Sequence, residues 1–129
     1  MYDFAFSSEQ LALRDEIRDL VRWVPRQLIL DMDADKVEFP TEFLREAGRR
    51  GLMGCRYPQR WGGRDMDWVT ACMVMEEVGV LGYIFACVFG VGAELVCDAI
   101  VIHGTDAQCG GYMQPLLAGE RFAAECLTE

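Results

Sequence analysis

The chain has 129 residues, 52% of them hydrophobic and only four of them proline, which is the length of one domain with enough apolar content to bury a core, and argues against a disordered chain. A net charge of −9 and a pI near 4.5 leave no basic footprint, which argues against a nucleic-acid backbone as partner. Six cysteines, with none at C-x-x-C spacing, read as small buried thiols of a reducing compartment rather than as disulfides.

In chain order, MYDFAFSSEQ lacks the basic and apolar regions of a signal peptide and the arginines of a transit peptide, so a cytoplasmic location is the default expectation. Ser7 with Gln10 three residues on makes a capping box, and a helix over 8–29 is predicted from it. Leu13, Ile17, Leu20, Val21, Val24 and Leu28 recur on one face, opposite Arg14, Asp15, Arg18, Asp19 and Arg22. Pro25 must kink or end this helix near Trp23 and Val24. The acidic run Asp31 to Lys36 reads as a solvated connection. It fails as a calcium loop, because its sixth position holds Lys36 where glycine is needed for the sharp turn, although Glu42 stands at the twelfth.

Pro40 and Thr41 open a helix over 41–50, with Gly51 as its left-handed cap. The loop from Arg56 to Gly63 is dense in turn formers, and Gly62-Gly63 reads as a tight turn because it lacks the spacing of a phosphate cradle. Asp67 caps a third helix over 67–80, for which Trp68, Ala71, Cys72, Met75 and Val78 form an apolar stripe.

Val78 to Ala93 is a run of sixteen uncharged residues between Glu76-Glu77 and Glu94. It is short for a membrane span, holds four glycines and has acidic flanks, so it predicts a buried helix over 83–103 whose first half is covered on every side. Glu94 and Asp98, four apart, return one wet face to its second half. Its glycines are tolerable where a backbone or a ligand comes close. His103, the single histidine, falls at that helix's C-terminus, where a structural role suffices. Thr105 with Gln108 gives a second capping box for a helix over 105–117, and Phe122 to Leu127 reads as extended. No nucleophile, base and orienting partner cluster, so neither a catalytic residue nor a metal site is assigned.

Four stretches then carry a family resemblance: SSEQLALRDEIRDLV, the loop YPQRWGG, MEEVG, and the block from Gly104 to Glu129 that ends in L-T-E. In this order and spacing they resemble the N-terminal domain of the FAD-dependent acyl-CoA dehydrogenases over essentially the whole chain. The resemblance implies an all-α orthogonal bundle of about five helices over 1–121. It also implies that 122–129 begins the first strand of a middle β-barrel domain, with the family's catalytic glutamate in a C-terminal domain beyond this chain. By the same resemblance, Glu125, Cys126, Leu127 and Thr128 border FAD, and Cys87, Val88 and Val91 line the acyl end of an acyl-CoA pocket. Electron-transfer flavoprotein and a homo-oligomer are the implied partners. Glu125 stands where the family usually has an aromatic residue, and Gly110-Gly111 replaces the usual charged helix formers. The alternative is a non-catalytic helical module that keeps the fold and binds a partner through its apolar faces.

Overall fold

The computed structural model describes residues 3–126, and the regular structure among them is helical throughout. Six main helices follow one another: α1 (Ser8–Trp23), α2 (Arg26–Asp33), α3 (Thr41–Arg49), α4 (Trp68–Gly79), α5 (Tyr83–His103) and α6 (106–117). The expected all-α bundle is found, with one helix more because Pro25 divides the first. Val24 before it is extended, as the residue ahead of a proline prefers.

The capping box at Ser7 forms as read, and its Gln10 reaches further. The Gln10 amide donates to the Thr70 hydroxyl at 2.8 Å and to Asp67 at 3.2 Å, while Asp67 accepts the Thr70 backbone N–H at 2.8 Å. One polar knot therefore pins the starts of α1 and α4 together, and these two helices pack along each other around Leu13, Ile17 and Leu20. Arg18 and Glu77, 2.7 Å apart, close the other end of the contact.

Two expectations are corrected by packing. Asp31 to Asp33 belongs to α2 rather than to the connection, because Met32 is buried in the core and Gln27 bonds Asp31 one turn on, at 2.9 Å. On α4 the buried residues are Thr70, Ala71, Met73, Val74 and Val78, whereas Trp68 is 61% exposed and Cys72 lies open. α4 runs between α1 and α5, so its buried arc is set by two neighbours and is turned away from the stripe that periodicity suggested.

Phe43, Phe85 and Phe89 form the centre of the core, with ring centroids 5.2 and 6.2 Å from Phe43. α5 presents Phe85, Phe89, Ala93 and Cys97 to it at four-residue spacing. Its first half is not covered all round, as Tyr83 is 83% exposed and Ile84 46%. At 21 residues the helix is long and apolar enough to cross a membrane by length and composition. Its seat in the core, and two ion-paired carboxylates at its middle, tie it instead to the bundle.

The exit of the chain is fixed by backbone contact. A Cβ on Gly48 would fall 2.2 Å from the Ala118 carbonyl carbon, and one on Gly119 (φ +70°) 2.6 Å from the Leu44 oxygen. Only glycines let α3 and the 118–119 turn approach so closely. From that turn residues 122–126 leave without helix and without a ladder partner among the described residues.

Candidate functional site

The exit segment lies against α5. Cys87, Val88 and Val91 of that helix, Phe39 from the loop before α3, and Ala123, Ala124 and Glu125 enclose an open depression of about 280 Å³. The Phe39 and Phe122 rings stand 5.3 Å apart and hold the segment to the loop. Among the sequence-predicted residues, the structure thus gathers Cys87, Val88, Val91 and Glu125 around one concavity. Cys126 is exposed and does not line it. Leu127 and Thr128 lie outside the described residues.

The glycines of α5 divide between two uses. A Cβ on Gly90 would come 2.9 Å from the Met75 methyl, which is close packing against α4. A Cβ on Gly92 would meet no heavy atom within 4 Å, so that glycine leaves space beside Phe39 and Val88.

Behind the depression the helix changes its winding. Val91–Val96 forms a π-helical turn, and Cys109–Met113 of α6 forms another. The wider ring of a π turn releases carbonyls from ordinary helical pairing, and such turns recur at functional sites. The Glu94 carbonyl, which also takes the Cys97 N–H at the end of the turn, accepts the Tyr57 hydroxyl at 2.6 Å. Arg56, from the loop before α4, meets the Glu94 carboxylate at 2.6 Å and Asp98 at 2.5 Å. Its guanidinium also lies 3.5 Å over the Trp68 ring and 4.7 Å from that of Tyr57. The exposed Trp68 therefore has a role outside the core.

Electrostatics here follow burial. Burial pushes the Glu94 carboxyl above its ordinary value, against the pull of Arg56. Burial, with Glu94 nearby, also raises the Tyr57 hydroxyl, so it remains a donor. Cys55 and Cys97 are pushed up to about 12 by burial, which keeps both thiols protonated and non-nucleophilic. The expectation of buried thiols holds for Cys55, Cys97 and Cys109, whereas Cys72 and Cys126 are exposed and Cys87 is half-buried. His103 ends α5 as predicted, exposed beside a hollow formed with Ile100, Gln108 and Tyr112. Among the described residues no three His, Cys, Asp or Glu side chains are grouped to hold a metal ion.

Sequence reasoning missed Phe39, Ala123 and Ala124 as walls, both π turns, and the Arg56 clamp. The signal for the clamp was present in Glu94 and Asp98, one turn apart on a helix that is otherwise apolar.

The chain is similar, at 27% identity over 127 residues, to a short-chain specific acyl-CoA dehydrogenase of Clostridium acetobutylicum, covering 98% of this chain and 33% of that protein. It is similar at 27% over 124 residues to subunit CarC of the caffeyl-CoA reductase–Etf complex of Acetobacterium woodii, covering 96% and 33%. The chain thus spans about a third of the length of these relatives. Among solved structures, glutaryl-CoA dehydrogenase of Mycobacterium smegmatis shares the fold with a TM-score of 0.80 at 21% identity, over 93% of this chain and 31% of that one. Residues 7–120 match the family described as the acyl-CoA dehydrogenase N-terminal domain, and the chain belongs to the acyl-CoA dehydrogenase family.

Proposed function

We propose that this chain is the N-terminal helical part of an FAD-dependent acyl-CoA dehydrogenase acting on the Cα–Cβ bond of an acyl-CoA thioester. The observation that carries this reading is the depression in which Cys87, Val88 and Val91 of α5 face the exit segment 123–125. At about 280 Å³ it is just below the ~300 to 1,000 Å³ of whole-ligand sites, a size suited to the far end of an acyl group. The α5 side of its wall is apolar and built on a helix seated in the core, so that side offers no partner to water and orients the chain.

The exit segment fits a flavin edge. Among the described residues, 122–126 make no backbone–backbone hydrogen bond, so their N–H and C=O groups are unspent. The backbone from Glu125 to Thr128, with the Thr128 hydroxyl, would offer donors to the pyrimidine side of the ring. FAD, when bound, supplies the acceptor for the hydride from Cβ, and charge then grows where donors are wanted. The base that takes the α-proton is assigned to no residue here and belongs to the remainder of the protein. An electron-transfer flavoprotein partner and a homo-oligomer complete the reading, the first supported by the name of the CarC complex.

The test is made in the full-length protein. Val91→Phe is expected to lose activity on the bulkiest acyl-CoA substrates while keeping short ones, since filled volume excludes ligand atoms. Equal losses at every chain length would refute the pocket. Thr128→Val is expected to weaken FAD binding or slow flavin reduction by ~1 to 2 kcal/mol, read by flavin titration and stopped-flow.

A further inference from the structure

Glu125 is the one charged residue among those lining the depression, whose other walls are Phe39, Cys87, Val88, Val91, Ala123 and Ala124. Among the described residues its carboxylate has no hydrogen-bond or ion-pair partner. Glu16, Glu42, Glu46, Glu77 and Glu94 are each held by an arginine, whereas Glu125 shares its unpaired state with Glu9, Glu38, Glu76 and Glu120 among the described residues and differs from those four in lining this depression. While the depression is open, water serves the carboxylate. An apolar group laid across it would displace that water and leave a charge without a partner, which is unfavourable. An acyl group ending in a donor would replace the water it removes.

Resting on the proposed function, we infer that Glu125 selects acyl thioesters whose far end carries a hydrogen-bond donor, hydroxyl or ammonium, over those ending in methyl, and rejects those ending in carboxylate. The assignment concerns the Glu125 side chain, and leaves its backbone free for the flavin edge. A charge-assisted hydrogen bond of this kind corresponds to about 10- to 100-fold in kcat/KM between the hydroxyl and methyl ends. Like charge in the same place acts in the opposite sense, so a carboxylate end is disfavoured against methyl.

The experiment uses the full-length, FAD-loaded protein and four six-carbon acyl-CoA thioesters that differ only in their last group: methyl, hydroxyl, ammonium or carboxylate. The native protein is expected to rank them ammonium, hydroxyl, methyl, carboxylate. Glu125→Gln should keep hydroxyl over methyl and lose both the ammonium preference and the carboxylate penalty, because an amide still accepts but bears no charge. Glu125→Leu should put methyl first. Calorimetric binding of the corresponding non-reactive thioethers should give the same ranking without turnover. Equal kcat/KM for all four ends in the native protein, or a ranking that survives both substitutions, overturns the selection while leaving the dehydrogenase reading intact. Absence of turnover with every thioester overturns both.

Discussion

The two sides of α5 around its π turn are built on opposite terms. On one side Glu94, Asp98, Arg56, Tyr57 and Trp68 form a closed polar cluster in which the carboxylates face a guanidinium and the Glu94 carbonyl takes a hydroxyl. On the other, Cys87, Val88 and Val91 border an open concavity whose single charge is unpaired among the described residues. Groups that already satisfy one another hold the helix in place, and groups left unspent are available to something that binds. The saturated side is therefore read as the anchor and the unsaturated side as the pocket wall.

Removing the anchor should produce the largest effect. Arg56→Ala leaves two carboxylates facing each other over a partly buried site, and a loss of roughly 3 kcal/mol is expected, the low end for a broken buried pair. Denaturant midpoints of the native and substituted chains measure it. The deficit should also depend on pH. The folded-state value of Glu94 is raised above the ordinary 4.5, so the stability tied to its protonated form is full below 4.5 and is lost as pH rises through the raised value. Without Arg56 that value rises further, and the deficit should widen from pH 4.5 upward. A deficit that shrinks over this range would show that the cluster is not held by charge.

Tyr57→Phe is the intermediate case. It keeps the buried ring and removes only the hydroxyl that the Glu94 carbonyl accepts at 2.6 Å, for an expected loss of about 1 to 2 kcal/mol by thermal unfolding. No loss would mean that the π turn keeps its shape without this bond, and the comparison between the two sides would lose its polar half.

How much of this was legible depends on the distance between partners in the chain. The boxes at Ser7 and Thr105, the Asp67 cap, the break at Pro25 and the turn at Gly51 each depend on residues within four positions, and all stand where the sequence places them. The order of short motifs was enough for the family. The buried arc of α4 was not legible, because α1 and α5 decide it together. Nor was Arg56, whose partner Glu94 is 38 residues away. Neither π turn announces itself in composition, since Gly90 and Gly92 allow close packing and empty volume alike. Cys87, Val88 and Val91, proposed as the acyl wall, could be named from resemblance, but Phe39 and Ala123 join them around the depression only because α3 and the 118–119 turn meet backbone to backbone.

The smallest expected effect sharpens the comparison most. If Val91 borders open space, a larger side chain there has room, and Val91→Phe should change the stability of the chain by no more than about 0.5 kcal/mol, as surface substitutions do. Phenylalanine and valine have similar helix propensity, so the backbone adds little to that figure. If Val91 were instead packed as tightly as Phe89 on the core face, the added atoms would force neighbours aside at a cost of ~1 to 3 kcal/mol. Unfolding of the 129-residue chain by denaturant separates the two values without reference to cofactor or substrate. A large loss would make the depression part of the core and remove the physical basis for an acyl wall; a negligible one, beside the loss at Arg56, would show that one helix carries an anchor on one side and usable space on the other.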